Sequence, residues 1–196
     1  MKTAFVIPGF NISASASDSK YVELKNAIKA KGYKVVPVSF AWNRTTISQY
    51  ADKFVDFYNK YKGTENVVVG NSYGAMVTFL TTPILKPNRA FLCSLSPFFK
   101  EDLHKHKKEQ MIRRFGKRRV IDMETLSAAQ TAKQINSTNT EVILFYGEQE
   151  KKLYPSLVSR AKNTASVLRN GQVIEIPDAP HSFRNSLYIQ AITKTL

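Results

Sequence analysis

Asn66–Met76 reads NVVVGNSYGAM: three valines run into a serine that has one glycine two residues before it and another two residues after it. The valines predict a buried strand over Asn66–Val69. From Tyr73 to about Leu85 the chain is apolar nearly all round, with Ala75, Met76, Val77, Phe79 and Leu80, which predicts a central, buried helix. Gly70-x-Ser72-x-Gly74 is then a sharp strand-to-helix turn, its glycines relieving the crowding that bulkier neighbours would cause. Such a turn lifts Ser72 Oγ above the C-terminal edge of a sheet, at the positive end of the following helix. The plainer reading is that the glycines only permit tight packing. The buried strand before the turn and the buried helix after it favour a nucleophile.

Strands and helices alternate on both sides of this turn. Lys2–Ile7 (KTAFVI), bounded by Pro8-Gly9, reads as a buried strand. Asp18–Lys31 follows as a helix with Tyr21, Leu24 and Ile28 on one face, closed by Gly32 as a left-handed cap. Tyr33–Phe40 (YKVVPVSF) is a second strand, which Pro37 assigns to a sheet edge. Thr45 or Thr46 caps the most amphipathic helix, which carries Ile47, Tyr50, Ala51, Phe54, Val55 and Tyr58 on one face. Further strands are Arg89–Ser96 (RAFLCSLS), Glu141–Tyr146 (EVILFY) and Gly171–Ile176 (GQVIEI). Further helices are Pro155–Arg169 and roughly Asn185–Leu196. Continuous apolar strands separated by helices predict a single three-layer α/β/α domain around a mostly parallel six-stranded sheet. One irregular insert, at about residues 98–137, separates the fourth strand from the fifth.

The 196 residues, 43% hydrophobic and 11% aromatic, suffice for one globular core. The run MKTAFVIPGF ends at Pro8-Gly9, too soon for a secretory leader, and no apolar run approaches the roughly 18–20 residues of a membrane span. Cys93 is the only cysteine, so an internal disulfide is excluded and a reduced, cytoplasmic setting is the expectation. The net charge of +14 suits an anionic partner, and equally serves solubility. No Gly-rich phosphate loop is present, so no nucleotide cofactor is expected. His104-x-His106 lacks acidic or cysteine ligands at suitable spacing, so no metal is expected either.

A serine hydroxyl needs a base. Of the three histidines, His104 and His106 lie in a Lys-rich stretch, whereas His181 follows the sixth strand in PDAPHSF. In a parallel sheet that loop emerges on the same edge as Ser72. A carboxylate should hold the imidazole in the right tautomer. The loop after the fifth strand, YGEQEKK, offers Glu150 first and Glu148 in reserve, while Asp178 is better placed to shape the histidine loop. An oxyanion hole needs two backbone N–H groups. Tyr73, directly after the nucleophile, supplies one, and Phe10, in the IPGFN loop after the first strand, supplies the other.

Ser72, then an acid, then His181, spread over six α/β units, resembles the α/β-hydrolase superfamily across essentially the whole chain. GNSYG matches its nucleophile elbow, PHSF looks like its histidine loop, and YGEQE looks like its acid loop with Glu150 where aspartate is usual. The resemblance implies a sheet lacking the family's first two strands, with order 2-1-3-4-5-6, as in the short single-domain serine hydrolases of the retinoblastoma-binding-protein type. It implies the catalytic logic but not the substrate, because this fold hosts esterases, thioesterases, amidases, lipases, acyltransferases and non-catalytic members. The expectation set on the residues is hydrolysis of a carboxylic ester or thioester through an acyl-enzyme, with Ser72, His181 and Glu150. An acyltransferase on the same three residues is the alternative within the class.

In that fold the insert corresponds to a lid. From Phe98 to Arg119 it holds nine Lys/Arg against three Asp/Glu. Phe98 and Phe99 are candidates to line an acyl pocket, with Asn11 as a further substrate contact. The basic residues suit an anionic substrate or an anionic membrane surface. No nucleic-acid motif accompanies them, so specific nucleic-acid binding is not expected. A non-catalytic protein that binds an anionic partner through this basic segment is the reading from another class.

Overall fold

The computed structural model describes residues 1–10, 21–39, 42 and 45–196. Six strands form one sheet: β1 (Lys2–Ile7), β2 (Lys34–Pro37), β3 (Glu65–Asn71), β4 (Arg89–Cys93), β5 (Glu141–Gly147) and β6 (Gly171–Ile176). Their order is β2-β1-β3-β4-β5-β6, and each neighbouring pair is parallel. The helices are α1 (Val22–Ala30), α2 (Ile47–Tyr61), α3 (Tyr73–Leu85), α4 (Lys108–Phe115), α5 (Lys117–Met123), α6 (Ala128–Ile135), α7 (Glu150–Leu153), α8 (Pro155–Val167) and α9 (Ser186–Thr195).

Alternate residues of each strand feed two cores. Phe5, Ile7, Val68, Leu92 and Leu144 pack with α2, α3, α8 and the helices of the β4–β5 connection. Ala4, Val6, Val67, Val69, Phe91 and Ile143 pack with α1 and α9 on the opposite face. This is the three-layer arrangement that continuous apolar strands require, since both faces of the sheet are covered. The helix after the serine is buried from Tyr73 to Phe79, which accounts for its lack of a polar side.

Several elements end earlier than the sequence suggests. β2 stops at Pro37, which has no N–H to give to the ladder, although Val38 N–H still donates to Val6 O at 2.9 Å. β4 stops at Cys93, because Ser94 turns to a φ of +54°. α8 ends at Val167, where Leu168 is already extended. Gly32 closes α1 at a φ of +83°, and Thr46 caps α2 in a reciprocal capping box with Gln49. Of the expected first helix, residues 18–20 lie outside the described residues, as does Phe40 of the expected second strand. Among the described residues no helix is long and apolar enough to cross a membrane.

All six strands point the same way, so the chain leaves β1, β3, β4, β5 and β6 on a common edge. Strand order reverses between β1 and β3, since β2 lies on the far side of β1. In open α/β sheets that switch point opens a crevice at the carboxyl ends of the strands.

Candidate active site

Ser72 stands between β3 and α3 with φ +55° and ψ −110°, a conformation L-residues adopt at a cost of roughly 1–3 kcal/mol. Three backbone hydrogen bonds hold it there: its N–H donates to Cys93 O at 2.8 Å, and its carbonyl accepts from Ala75 at 3.1 Å and Met76 at 3.2 Å. The flanking glycines are explained by close approach. A Cβ on Gly70 would lie 2.3 Å from Gly74 O, and one on Gly74 would lie 2.3 Å from Ile7 O. The elbow is therefore pressed against both its own helix and the end of β1.

A serine at this position usually caps its helix, yet Ser72 makes no side-chain cap. Its Oγ instead lies 3.0 Å from Ser96 Oγ, beyond the end of β4, where Ser96 is buried. Tyr73 opens α3, so its N–H has no acceptor within the helix. Phe10 follows β1, and its ring lies 5.1 Å from that of Tyr73. A Cβ on neighbouring Gly9 would stand 3.5 Å from Ser72 Cβ. The loop expected to give the second oxyanion donor thus borders the serine.

Glu150 begins α7 and is fully buried. Its Oε1 is hydrogen-bonded to His181 Nδ1. Its Oε2 accepts from Gly147 N–H at 2.9 Å and from the Tyr188 hydroxyl at 3.3 Å. With Glu150 as the acceptor, the hydrogen of this bond sits on Nδ1, the tautomer that leaves Nε2 free to accept. The same logic orders the next link: Tyr188 donates to Glu150, so the Ser94 hydroxyl, 2.8 Å away, donates to Tyr188. Burial and then the Glu150 charge push the Cys93 thiol well above its usual range, which keeps this cysteine neutral. Burial and the same charge also raise the Tyr188 phenol.

The reserve acid has a different position. Glu148 is exposed, and its Oε2 accepts from the Asp178 amide at 3.1 Å. Asp178 has a φ of +57° and receives Gln149 Nε2 on its carbonyl at 2.9 Å. Glu148 and Asp178 therefore shape the loop that carries His181, and Glu150 reaches the imidazole.

Ser72, Tyr73, Arg114 and His181 form the common wall of a two-lobed cleft. One lobe, about 310 Å³, lies over the switch point and is completed by Gly9, Phe10, Asn71, Phe183 and Arg184. The other, about 240 Å³, is more apolar, with Pro97, Phe98, Leu157 and Tyr154. Phe98 is the expected lining residue. Phe99 is a correction: it is fully buried against Phe79, with Arg160 over its ring, and lines neither lobe. The backbone bends at Phe99 and turns at Lys100, so the two neighbouring rings face different ways. Asn11 lies outside the described residues.

The β4–β5 connection is helical and is anchored from within. Asp102, almost fully buried, takes a bidentate pair from Arg160 of α8 at 2.8 and 2.6 Å. Arg119 donates to the carbonyls of Trp42, Thr45 and Phe115. Among the described residues no group of three or more potential ligands could hold a metal. Ser96, Ser94, Tyr188 and Arg114 are the site residues that sequence reading did not single out. For Ser96 a signal was available, since a hydroxyl residue stood at the end of a strand predicted beside β3.

Strand order, elbow and the acid–histidine pair together define the α/β-hydrolase fold, and the solved structures agree. Est1E from Butyrivibrio proteoclasticus, determined with ferulic acid bound, superposes with a TM-score of 0.76 at 14% identity over 100% of this chain and 86% of its own. Alpha/beta hydrolase domain-containing protein 10 from mouse gives 0.69 at 13% identity, over 98% of this chain and 87% of its own. A bromoperoxidase from Bacillus anthracis gives 0.69 at 10% identity, over 100% and 90%. No family model and no curated protein matches the sequence itself.

Proposed function

We propose that the protein is a serine hydrolase that cleaves a carboxylic ester or thioester through an acyl-enzyme. The observation that carries this reading is the buried Glu150 carboxylate bonded to His181 Nδ1, on the sheet edge that presents Ser72 in a strained elbow. A decayed scaffold kept only for binding would have no reason to hold a carboxylate fully buried against an imidazole. The esterases among the structural neighbours support the same reading.

In the proposed reaction Ser72 Oγ leaves Ser96 and turns to His181 Nε2, which takes its proton as Oγ attacks the carbonyl carbon. Glu150 stabilises the imidazolium without taking the proton itself. The amides of Tyr73 and Phe10 stabilise the tetrahedral oxyanion. His181 then protonates the departing alcohol or thiol, and water deprotonated by the same imidazole releases the acid.

The test is steady-state hydrolysis of p-nitrophenyl and thioester substrates of graded acyl length. Ser72→Ala and His181→Ala should each lower kcat by at least about 10³-fold, with the far-UV circular dichroism unchanged. Substantial turnover retained in Ser72→Ala would contradict the proposal.

A further inference from the structure

Among the described residues, the two lobes of the cleft are lined by no acidic side chain and by two arginines. Arg114 of α4 lies at the junction and lines both lobes, and Arg184, three residues after His181, lines the larger. Four other arginines of the described chain are engaged elsewhere. Arg89 pairs with Glu141 and Arg160 with Asp102, while Arg119 and Arg169 donate to backbone carbonyls. Arg114 and Arg184 have no carboxylate or carbonyl partner among the described residues. Arg114 is kept at the junction by the Phe115 ring, 5.0 Å from its guanidinium carbon.

Taking the serine hydrolase reading as its basis, we infer that the natural substrate is an anionic ester or thioester whose carboxylate or phosphate is held by Arg114 and Arg184 in the larger lobe. The physical grounds are specific. A guanidinium presents a planar fork of donors that matches two oxygens of a carboxylate or phosphate. The described walls carry no acid, so along them an incoming anion displaces no ion pair and meets no like charge. The larger lobe adds Asn71 and Ser182 as polar groups, whereas the smaller lobe offers mainly Pro97, Phe98 and Leu157 to an uncharged portion. The net charge of +14 draws such substrates towards the molecule. A volume of about 310 Å³ has room for a small organic acid group.

The experiment compares matched pairs. On the acyl side, the p-nitrophenyl monoester of glutaric acid is set against its neutral glutaramate analogue. On the leaving-group side, 4-(butanoyloxy)benzoate and 4-(butanoyloxy)phenyl phosphate are set against 4-(butanoyloxy)benzamide, which also separates carboxylate from phosphate recognition. In at least one pair the anionic member should have kcat/KM higher by about tenfold or more. That preference should fall towards unity, through KM, in Arg114→Gln and in Arg184→Gln. Arg113→Gln, exposed on the same helix and lining neither lobe, should retain it. Equal rates for anionic and neutral members in every pair, or a preference that survives both Arg114→Gln and Arg184→Gln, would overturn the inference.

A binding measurement keeps the two proposals separate. Millimolar glutarate or inorganic phosphate should raise the Tm of the wild-type protein, glutaramide should not, and the Arg114→Gln/Arg184→Gln double variant should lose the response. If no ester is turned over but this Tm response is present, the hydrolase reading fails and the anion site stands. If esters are turned over without an anionic preference or a Tm response, the anion site fails and the hydrolase reading stands.

Discussion

On the β5–β6 side of the cleft, Glu150 is buried with His181, Gly147 N–H and the Tyr188 hydroxyl all directed at its two oxygens, and Ser94 directed at Tyr188 in turn. On the β3–β4 side, Ser72 Oγ has a single hydroxyl partner among the described residues, Ser96, and the two arginines that line the cleft have no carboxylate partner among them. The first region is saturated and the second is left open. A carboxylate removed from water must have its lone pairs met, and once met it cannot move without leaving donors stranded. A nucleophile must change partner during its reaction, so one replaceable hydroxyl is the appropriate restraint. On the proposed reading, the acid side fixes protonation and geometry, while the serine side is where substrate replaces internal contacts.

Four substitutions probe that contrast. The largest effect is expected for Glu150→Gln. A glutamine that turns its amide nitrogen to Nδ1 forces the hydrogen onto Nε2 and removes the base, so kcat should drop by about 10³–10⁴-fold while the protein remains folded. A loss below tenfold would show that the saturated region does not set the tautomer.

Next comes Asp102→Asn, which leaves the Arg160 guanidinium unpaired where its side chain is only 11% exposed. Loss of one partner of a buried pair should cost about 3–5 kcal/mol, read as a lower denaturant midpoint. Because this pair ties the β4–β5 connection to α8, the smaller lobe should loosen with it.

Gly74→Ala places a methyl carbon 2.3 Å from Ile7 O, a backbone atom that cannot swing away. The expected cost is about 3 kcal/mol, with kcat lowered because the Phe10 loop is pushed from Ser72. Ser96→Ala should have the smallest effect and the opposite sign. Removing one hydrogen bond, worth about 0.5–1.5 kcal/mol, frees Ser72 Oγ and should raise its rate of covalent labelling about two- to tenfold. A slower rate would mean that Ser96 aids the attack rather than competing with His181.

The saturated region was partly legible in the sequence and the open region less so. A run of three valines, a G-x-S-x-G turn and a helix apolar on every side specify β3, the elbow and α3, because burial on both faces leaves a distinctive composition. Glu150 and His181 could be placed because parallel strands deliver their loops to one edge. Tyr188 could not be assigned a role, since its hydroxyl meets Glu150 only through the packing of α9 and the reversal of φ at Ser94. Phe98 and Phe99 are chemically identical neighbours, and only the turn of the backbone decides that the first faces the cleft and the second the core. The basic cluster divides in the same way. Arg119 is engaged with carbonyls and Arg114 opens into the cleft, a division that charge counting cannot make.

The account depends most directly on Ser72 being an activated nucleophile. Incubation with a fluorophosphonate probe, followed by peptide mass spectrometry, tests that without knowledge of the substrate. The prediction is one adduct, on Ser72, absent when His181→Ala is treated identically. A folded protein that takes up no probe, or carries it on another residue, would contradict the claim that Glu150, His181 and Ser72 act as one catalytic unit.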